Sequence, residues 1–134
     1  MAESVRITRE VYERLLSHAR QEPWQECCGL LAGRGGVISV VLPAVNTLAS
    51  ATAYEIAPRE LFDLFQRMRR EGWEHLGIYH SHPRGENAPS PRDIAQAYYP
   101  EAAYFILSPE AENARPVRAF RIREGTVTEL EIVS

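Results

Sequence analysis

Two of the chain's four histidines, His80 and His82, stand one residue apart at the end of an apolar run, Leu76-Gly77-Ile78-Tyr79. In an extended segment, residues i and i+2 face the same side, roughly 6.5 Å apart along the strand. Such a strand end aims both imidazoles at one point and turns Ser81 the other way. A neutral imidazole is a common ligand for zinc, copper, iron or nickel. Two imidazoles do not complete a site, because a catalytic zinc usually takes three protein ligands and a water. Asp93 is the obvious third, beyond a loop of small and polar residues and at the start of a helix that can pack beside the strand end. Each part taken singly has an ordinary explanation. A strand-end histidine is often solvated or core packing, an aspartate in a first helical turn complements the helix dipole, and Ser90 caps a helix. The combination of H-x-H with Ser90 and then Asp93 is far more specific than its parts, but local physics leaves both readings open.

The elements that must carry these residues follow from periodicity and punctuation. Residues 5–7 read as a short strand, and Thr8 as the N-cap of a helix with Val11, Leu15, Leu16 and Ala19 on one face, closed by Pro23. Residues 28–32 are an apolar run too short for a helix, and residues 33–36, Gly-Arg-Gly-Gly, mark a turn into a returning strand over 37–42. A further strand is expected over 54–56. Pro58 opens a helix through Leu61, Leu64, Phe65 and Met68 to Gly72. Strands follow over 76–81 and 104–108, with a helix over 90–97 between them, Ser90 as its N-cap and Pro91 as its first residue. Residues 117–122 and 127–133 form a terminal hairpin around Glu124-Gly125. Strands at both ends with helices between them give an α/β or α+β class with a mixed sheet.

With 134 residues and no repeat or linker, the chain is expected to be one domain, 1–134. Hydrophobic residues at 45% and charged residues at 25% are ordinary for a soluble globular protein. A net charge of −3 disfavours non-specific nucleic-acid binding. No apolar stretch reaches membrane-spanning length, and the charged N-terminus lacks a signal-peptide core, so a cytoplasmic protein without membrane or nucleic-acid partners is expected. Cys27 and Cys28 are adjacent and read as reduced, buried thiols.

The segment HSHPRGENAPSPRD resembles the signature of the JAMM (MPN-plus, Mov34/MPN/PAD-1) metallopeptidases. The segment ECCGLLAG, Glu26 to Gly33, resembles that family's glutamate-bearing stretch. The long insertions of the family's eukaryotic deubiquitinases are absent, which places the likeness with compact bacterial and archaeal members. The resemblance implies a cytidine deaminase-like fold, a central mixed β-sheet flanked by helices. It implies that His80, His82 and Asp93 hold Zn²⁺, with Glu26 as general base and then acid, and Ser90 as donor to the oxyanion. Sequence physics does not choose Glu26 over Glu22, Glu55, Glu60 or Glu86; the resemblance does. Position agrees, since Glu26 opens a strand that can lie beside the one ending at His80.

The activity so implied is hydrolysis of the amide bond after the C-terminal Gly-Gly tail of a ubiquitin-like protein. A sulfur carrier is the first choice of partner, for example one from whose C-terminus cysteine is released. Removal of ubiquitin-like modifiers from lysines is the alternative, and a non-catalytic MPN-type scaffold or an iron site built on a two-histidine, one-carboxylate triad are further ones. The scaffold members lack the ligand set, which this chain has complete. A homodimer is left open. Trp24, Tyr79, Tyr98 and Tyr99 fit core or rim packing better than a substrate groove, and His18 and His75 read as surface residues.

Overall fold

A computed structural model describes residues 3–134. The elements run β1 (Ser4–Ile7), α1 (Arg9–Gln21), β2 (Cys28–Arg34), β3 (Val37–Ala44), α2 (Pro58–Glu71), β4 (Glu74–Ser81), α3 (Pro91–Ala95), β5 (Ala103–Leu107), β6 (Val117–Arg123) and β7 (Thr126–Val133). The strands hydrogen-bond in the order β1-β3-β2-β4-β5-β6-β7 and the sheet closes on itself, because β1 runs parallel to both β3 and β7. β4 and β5 are also parallel, and the remaining pairs are antiparallel. The class is therefore mixed α+β, as the alternation of strand and helix patterns implies.

Alternation along the strands divides the core into two layers. Leu31, Tyr79, Phe105 and Ala119 face the buried stripe of α1, Val11, Leu15 and Ala19. Leu30, Ile78, Ile106 and Phe120 face the other way, where Leu61, Leu64, Phe65 and Met68 of α2 and Ile94 of α3 cover them. A sheet buried on both faces explains why β2 and β5 read as continuous apolar runs. The fit is tight at Gly29, where a Cβ would lie 2.5 Å from both the Leu42 carbonyl oxygen and the Tyr79 ring.

Local signals set the element ends. The Thr8 hydroxyl oxygen accepts from the Val11 N–H at 3.2 Å and starts α1. Pro58 occupies the first turn of α2, and Gly72, at φ 72°, ends it in the left-handed conformation. The β6–β7 turn places Glu124 and Gly125 at φ 48° and 80°, the backbone of a type I′ hairpin. Among the described residues, no helix is long and apolar enough to cross a membrane.

Three expectations fail. Residues 54–56 form no strand: the Glu55 N–H goes to the Asn46 side chain and its carbonyl to Thr47, so these groups are spent inside a loop. α3 ends at Ala95, short of residue 97. His18 and His75 are not plain surface residues. His18 lies 2.7 Å from the Tyr79 hydroxyl and 2.9 Å from Glu22 Oε2, and His75 packs edge-on against Phe65 and Tyr99.

Candidate metal centre

β4 ends where the two sheet layers and α3 meet. His80 lies two residues beyond Ile78 on the α2 face, paired with Cys28 of β2 on one side and Ile106 of β5 on the other. The chain leaves the sheet at His82, whose N–H still donates to the Leu107 carbonyl at 2.9 Å. The loop that follows is anchored by buried Asn87, whose amide donates to the Ile106 and Arg115 carbonyls at 3.2 and 2.9 Å. Ser90 then starts α3 through a reciprocal cap. Its hydroxyl oxygen accepts from the Asp93 N–H at 3.1 Å, and its own N–H donates to Asp93 Oδ2 at 2.9 Å. One turn of helix thus aims the Asp93 carboxylate back at the end of β4.

The three groups meet there. His80 Nε2 is 3.2 Å from His82 Nε2 and 3.2 Å from Asp93 Oδ1, while His82 Nε2 is 3.1 Å from Asp93 Oδ2. All three ligand-type atoms lie within 4.8 Å of one another. His82 Nδ1 lies 2.8 Å from the Glu86 carbonyl oxygen, which can only accept. The proton is therefore on Nδ1, and a neutral His82 presents a lone pair at Nε2. Two imidazole nitrogens and a carboxylate turned on one point form a donor set suited to a divalent transition metal.

The electrostatics set the two histidines apart. Burial holds His80 below the ordinary histidine range despite its contact with Asp93. Burial also pulls on His82, but the hydrogen bond to Asp93 prevails and its pKa rises. For Asp93, burial would raise the carboxyl; the hydrogen bonds of His80 and His82 overcome that and hold it well below the usual carboxylate range.

Glu26 is the fourth group. It precedes Cys28 by two residues, and Cys28 pairs with His80, so the β2–β4 register carries it to the same end of the sheet. It is 4% exposed, and its Oε1 has no hydrogen-bond partner. Burial pushes its pKa from 4.5 up to about 7, with the charges of His82, Asp93 and Arg92 acting on it as well. Its backbone is clamped. The Glu26 N–H donates to the Ser50 carbonyl at 2.8 Å, and its carbonyl accepts from the Asn46 amide at 2.9 Å. On the next residue, the Cys27 N–H donates at 2.9 Å to the hydroxyl of Ser81, which faces away from the histidines.

Some contributors carry no chemical signature in the sequence. Tyr54 stacks on His80, with ring centroids 4.7 Å apart and planes at 22°. Asn46, buried, also donates to the Ala53 carbonyl at 3.0 Å and accepts from the N–H groups of Leu48 and Glu55 at 3.0 and 3.2 Å. Asparagine after a strand is a turn signal, and that was the one available hint. Of the aromatic residues, Tyr79 is core, Trp24 is exposed, and Tyr98 and Tyr99 line a cavity beside the centre. Cys27 and Cys28 are free and buried, and burial pushes both thiols up to about 12, which keeps them protonated and unreactive.

A family model described as prokaryotic homologs of the JAB domain matches residues 8–123. The "Probable TtuB-protein conjugate cleaving protease" of Thermus thermophilus is 37% identical over 128 residues, 95% of this chain and 82% of that protein. The desampylase of Haloferax volcanii is 33% identical, covering 78% of this chain and 80% of its own. The CysO-cysteine peptidase of Mycobacterium tuberculosis is 31% identical, covering 92% and 86%. The solution structure of a Desulfitobacterium hafniense protein superposes with a TM-score of 0.83 at 37% identity, over 96% of this chain and 91% of that one. A structure described as a JAMM metalloprotease-like zinc site in the proteasome and signalosome shares the fold at a TM-score of 0.63 and 18% identity, covering 98% and 99%.

Proposed function

Because this chain belongs to the prokaryotic homologues of the JAB domain, the compact JAMM hydrolases, we propose that it is a zinc-dependent peptidase or isopeptidase. Its target is the amide bond after the C-terminal Gly-Gly tail of a ubiquitin-like protein, with a sulfur carrier as the preferred partner. The observation that carries this reading is the convergence of His80, His82 and Asp93 beside a buried, unpartnered Glu26. The relatives' names, a TtuB-protein conjugate cleaving protease, a desampylase and a CysO-cysteine peptidase, support a protein conjugate or an amino-acid adduct as the substrate class.

In this reading His80, His82 and Asp93 hold the zinc, which when bound polarises the scissile carbonyl and acidifies water. The protein's own residues do the rest. Glu26 takes the proton of the attacking water and returns it to the leaving nitrogen; the burial that raises its pKa in the metal-free protein opposes the lowering that a bound cation would impose. Ser90 spends an oxygen lone pair on its cap and keeps its hydroxyl proton for the oxyanion. One such donor is typically worth about 3 kcal/mol of barrier. Asn46, Ser50 and Ser81 keep the Glu26 backbone from drifting. We place the fold with the cytidine deaminase-like group, supported by a mixed sheet between helices, the chain as a single domain, and the protein in the cytoplasm.

The test is elemental analysis followed by mass spectrometry on matched substrates. About one zinc per chain is expected, together with release of a mature Gly-Gly terminus from a carrier adduct. A protein that takes up no transition metal refutes the reading. An iron-loaded protein that consumes oxygen would replace it with the facial-triad enzyme.

A further inference from the structure

A cavity of about 310 Å³ opens beside the metal centre, and its walls include Tyr54, Ile56, Leu61, Ile78, Tyr98 and Tyr99. Two of these belong to the centre's surroundings: Tyr54 stacks on His80, and Ile78 precedes His80 by two residues on the same strand face. Small-ligand sites span about 300–1,000 Å³, so the cavity has room for one residue and little more. A Gly-Gly tail has no side chains with which to fill such a space.

The charged side chains on the wall are Arg92 and Glu55. Arg92 directly precedes Asp93, is exposed, and takes part in no ion pair among the described residues. Arg92 is the cation on this wall, and its place next to Asp93 in α3 sets it beside the metal centre. A guanidinium presents paired N–H donors that match the two oxygens of a carboxylate.

We propose that this cavity is the leaving-group subsite, and that Arg92 holds the free α-carboxylate of a single amino acid joined through its α-nitrogen to the tail. The inference rests on the amide-hydrolase reading. In the reaction a water oxygen bonds to the tail's carbonyl carbon, the C–N bond breaks, and the leaving nitrogen gains a proton. The products are a tail carboxylate and a free amino acid whose own carboxylate stays on Arg92 throughout. A lysine side chain in a folded protein brings no carboxylate near its scissile nitrogen. Arg92 thus selects the single-residue adduct over the isopeptide.

The test uses the full chain with zinc and a ubiquitin-fold protein whose Gly-Gly tail is extended by one cysteine. The adduct is made with a free C-terminal carboxylate and as the C-terminal amide. The carboxylate form should be cut with a kcat/KM about 10- to 100-fold higher, the range a charge-assisted contact supplies. Arg92→Gln should bring that ratio close to one while zinc content stays at its wild-type value. Arg92→Lys should keep part of the ratio, because the ammonium retains the charge but not the paired donors. Equal cutting of both forms by the wild type overturns the proposal, as does an undiminished ratio in Arg92→Gln. If the zinc-loaded protein cuts neither form but cuts a lysine isopeptide of the same ubiquitin-fold protein, the subsite falls and the hydrolase reading stands; if it cuts none of the three, both fall.

Discussion

The centre has two walls of opposite character. One, from His80 to Asp93, presents groups of metal-ligand and hydrogen-bonding type: two imidazoles, a carboxylate and a hydroxyl within one loop and one helical turn. The other, from Asn46 to Tyr54, presents no ligand. It supplies a buried amide that gathers the loop, a carbonyl for the Glu26 N–H, and an aromatic face against His80. Removing a side chain from the first wall should abolish chemistry and leave the fold. Removing one from the second should loosen the fold and only then the chemistry.

The largest effect tests the first wall. His80→Ala, His82→Ala or Asp93→Ala should each strip most of the zinc and lower kcat/KM by more than about three orders of magnitude, since the metal contributes several kcal/mol. The melting temperature of the metal-free protein should change little for His82→Ala, which lies at the edge of the core. Elemental analysis and circular dichroism read the two sides. Wholesale unfolding of that variant would mean the walls are not separable.

Glu26→Gln comes next. It should keep its zinc and lose at least about two orders of magnitude in kcat, because the proposed general base is gone while the proposed ligands are intact. Ser90→Ala should lose less, mainly in kcat, since the bond proposed for it is one to the transition state. Loss of zinc from Glu26→Gln would make that carboxylate a ligand and not a base.

The first wall was legible because its parts are close in sequence and each has a chemical preference. The period of two puts His80 and His82 together, and Pro91 after Ser90 marks the helix start that aims Asp93. Glu26 was placed on the correct strand pair, since β2 does lie antiparallel to β4, but the choice among glutamates needed the family resemblance. The second wall was not legible. Asn46 reaches Glu26 across 20 positions and His18 reaches Tyr79 across 61, and no periodicity reports such contacts. Tyr54-Glu55-Ile56 has a strand's alternation, yet its backbone groups were already claimed by Asn46 and Thr47. Closure of the sheet through β1 was equally hidden, because a strand of 4 residues with parallel partners leaves almost no pattern.

Asn46→Ala is the matching experiment on the second wall. It strands the carbonyls of Glu26 and Ala53 and the N–H groups of Leu48 and Glu55. A cost of about 1–3 kcal/mol is expected from one buried and three part-buried groups left unmet, with zinc retained and kcat reduced by roughly tenfold as Glu26 gains freedom. Hydrogen exchange should quicken at Glu26, Leu48 and Glu55 before it does at β4. Uniform acceleration across the sheet would show that Asn46 supports the whole fold and not this wall in particular.

The smallest effect joins the walls, because Glu26 is built on one and charged by the other. Its folded pKa of about 7 exceeds the ordinary 4.5, and burial is the leading cause. Between those values the folded state holds a proton that the unfolded chain has released, so stability falls as pH rises through that window. Below about pH 4.5 both states are protonated and the penalty vanishes; above about pH 7 it is fully present. Each pH unit between the two values is worth about 1.4 kcal/mol, which puts the ceiling near 3 kcal/mol. Glutamine at position 26 carries no such charge. The metal-stripped Glu26→Gln protein should therefore gain stability over the metal-stripped wild type on going from pH 4 to pH 8, by about 1–3 kcal/mol. Both proteins keep His80, His82 and Asp93, so those titrations largely cancel in the difference. Urea unfolding at several pH values measures it. A difference that is flat with pH would mean the Glu26 carboxylate is hydrated in the metal-free protein, and that the clamp on its backbone does not keep water from its side chain.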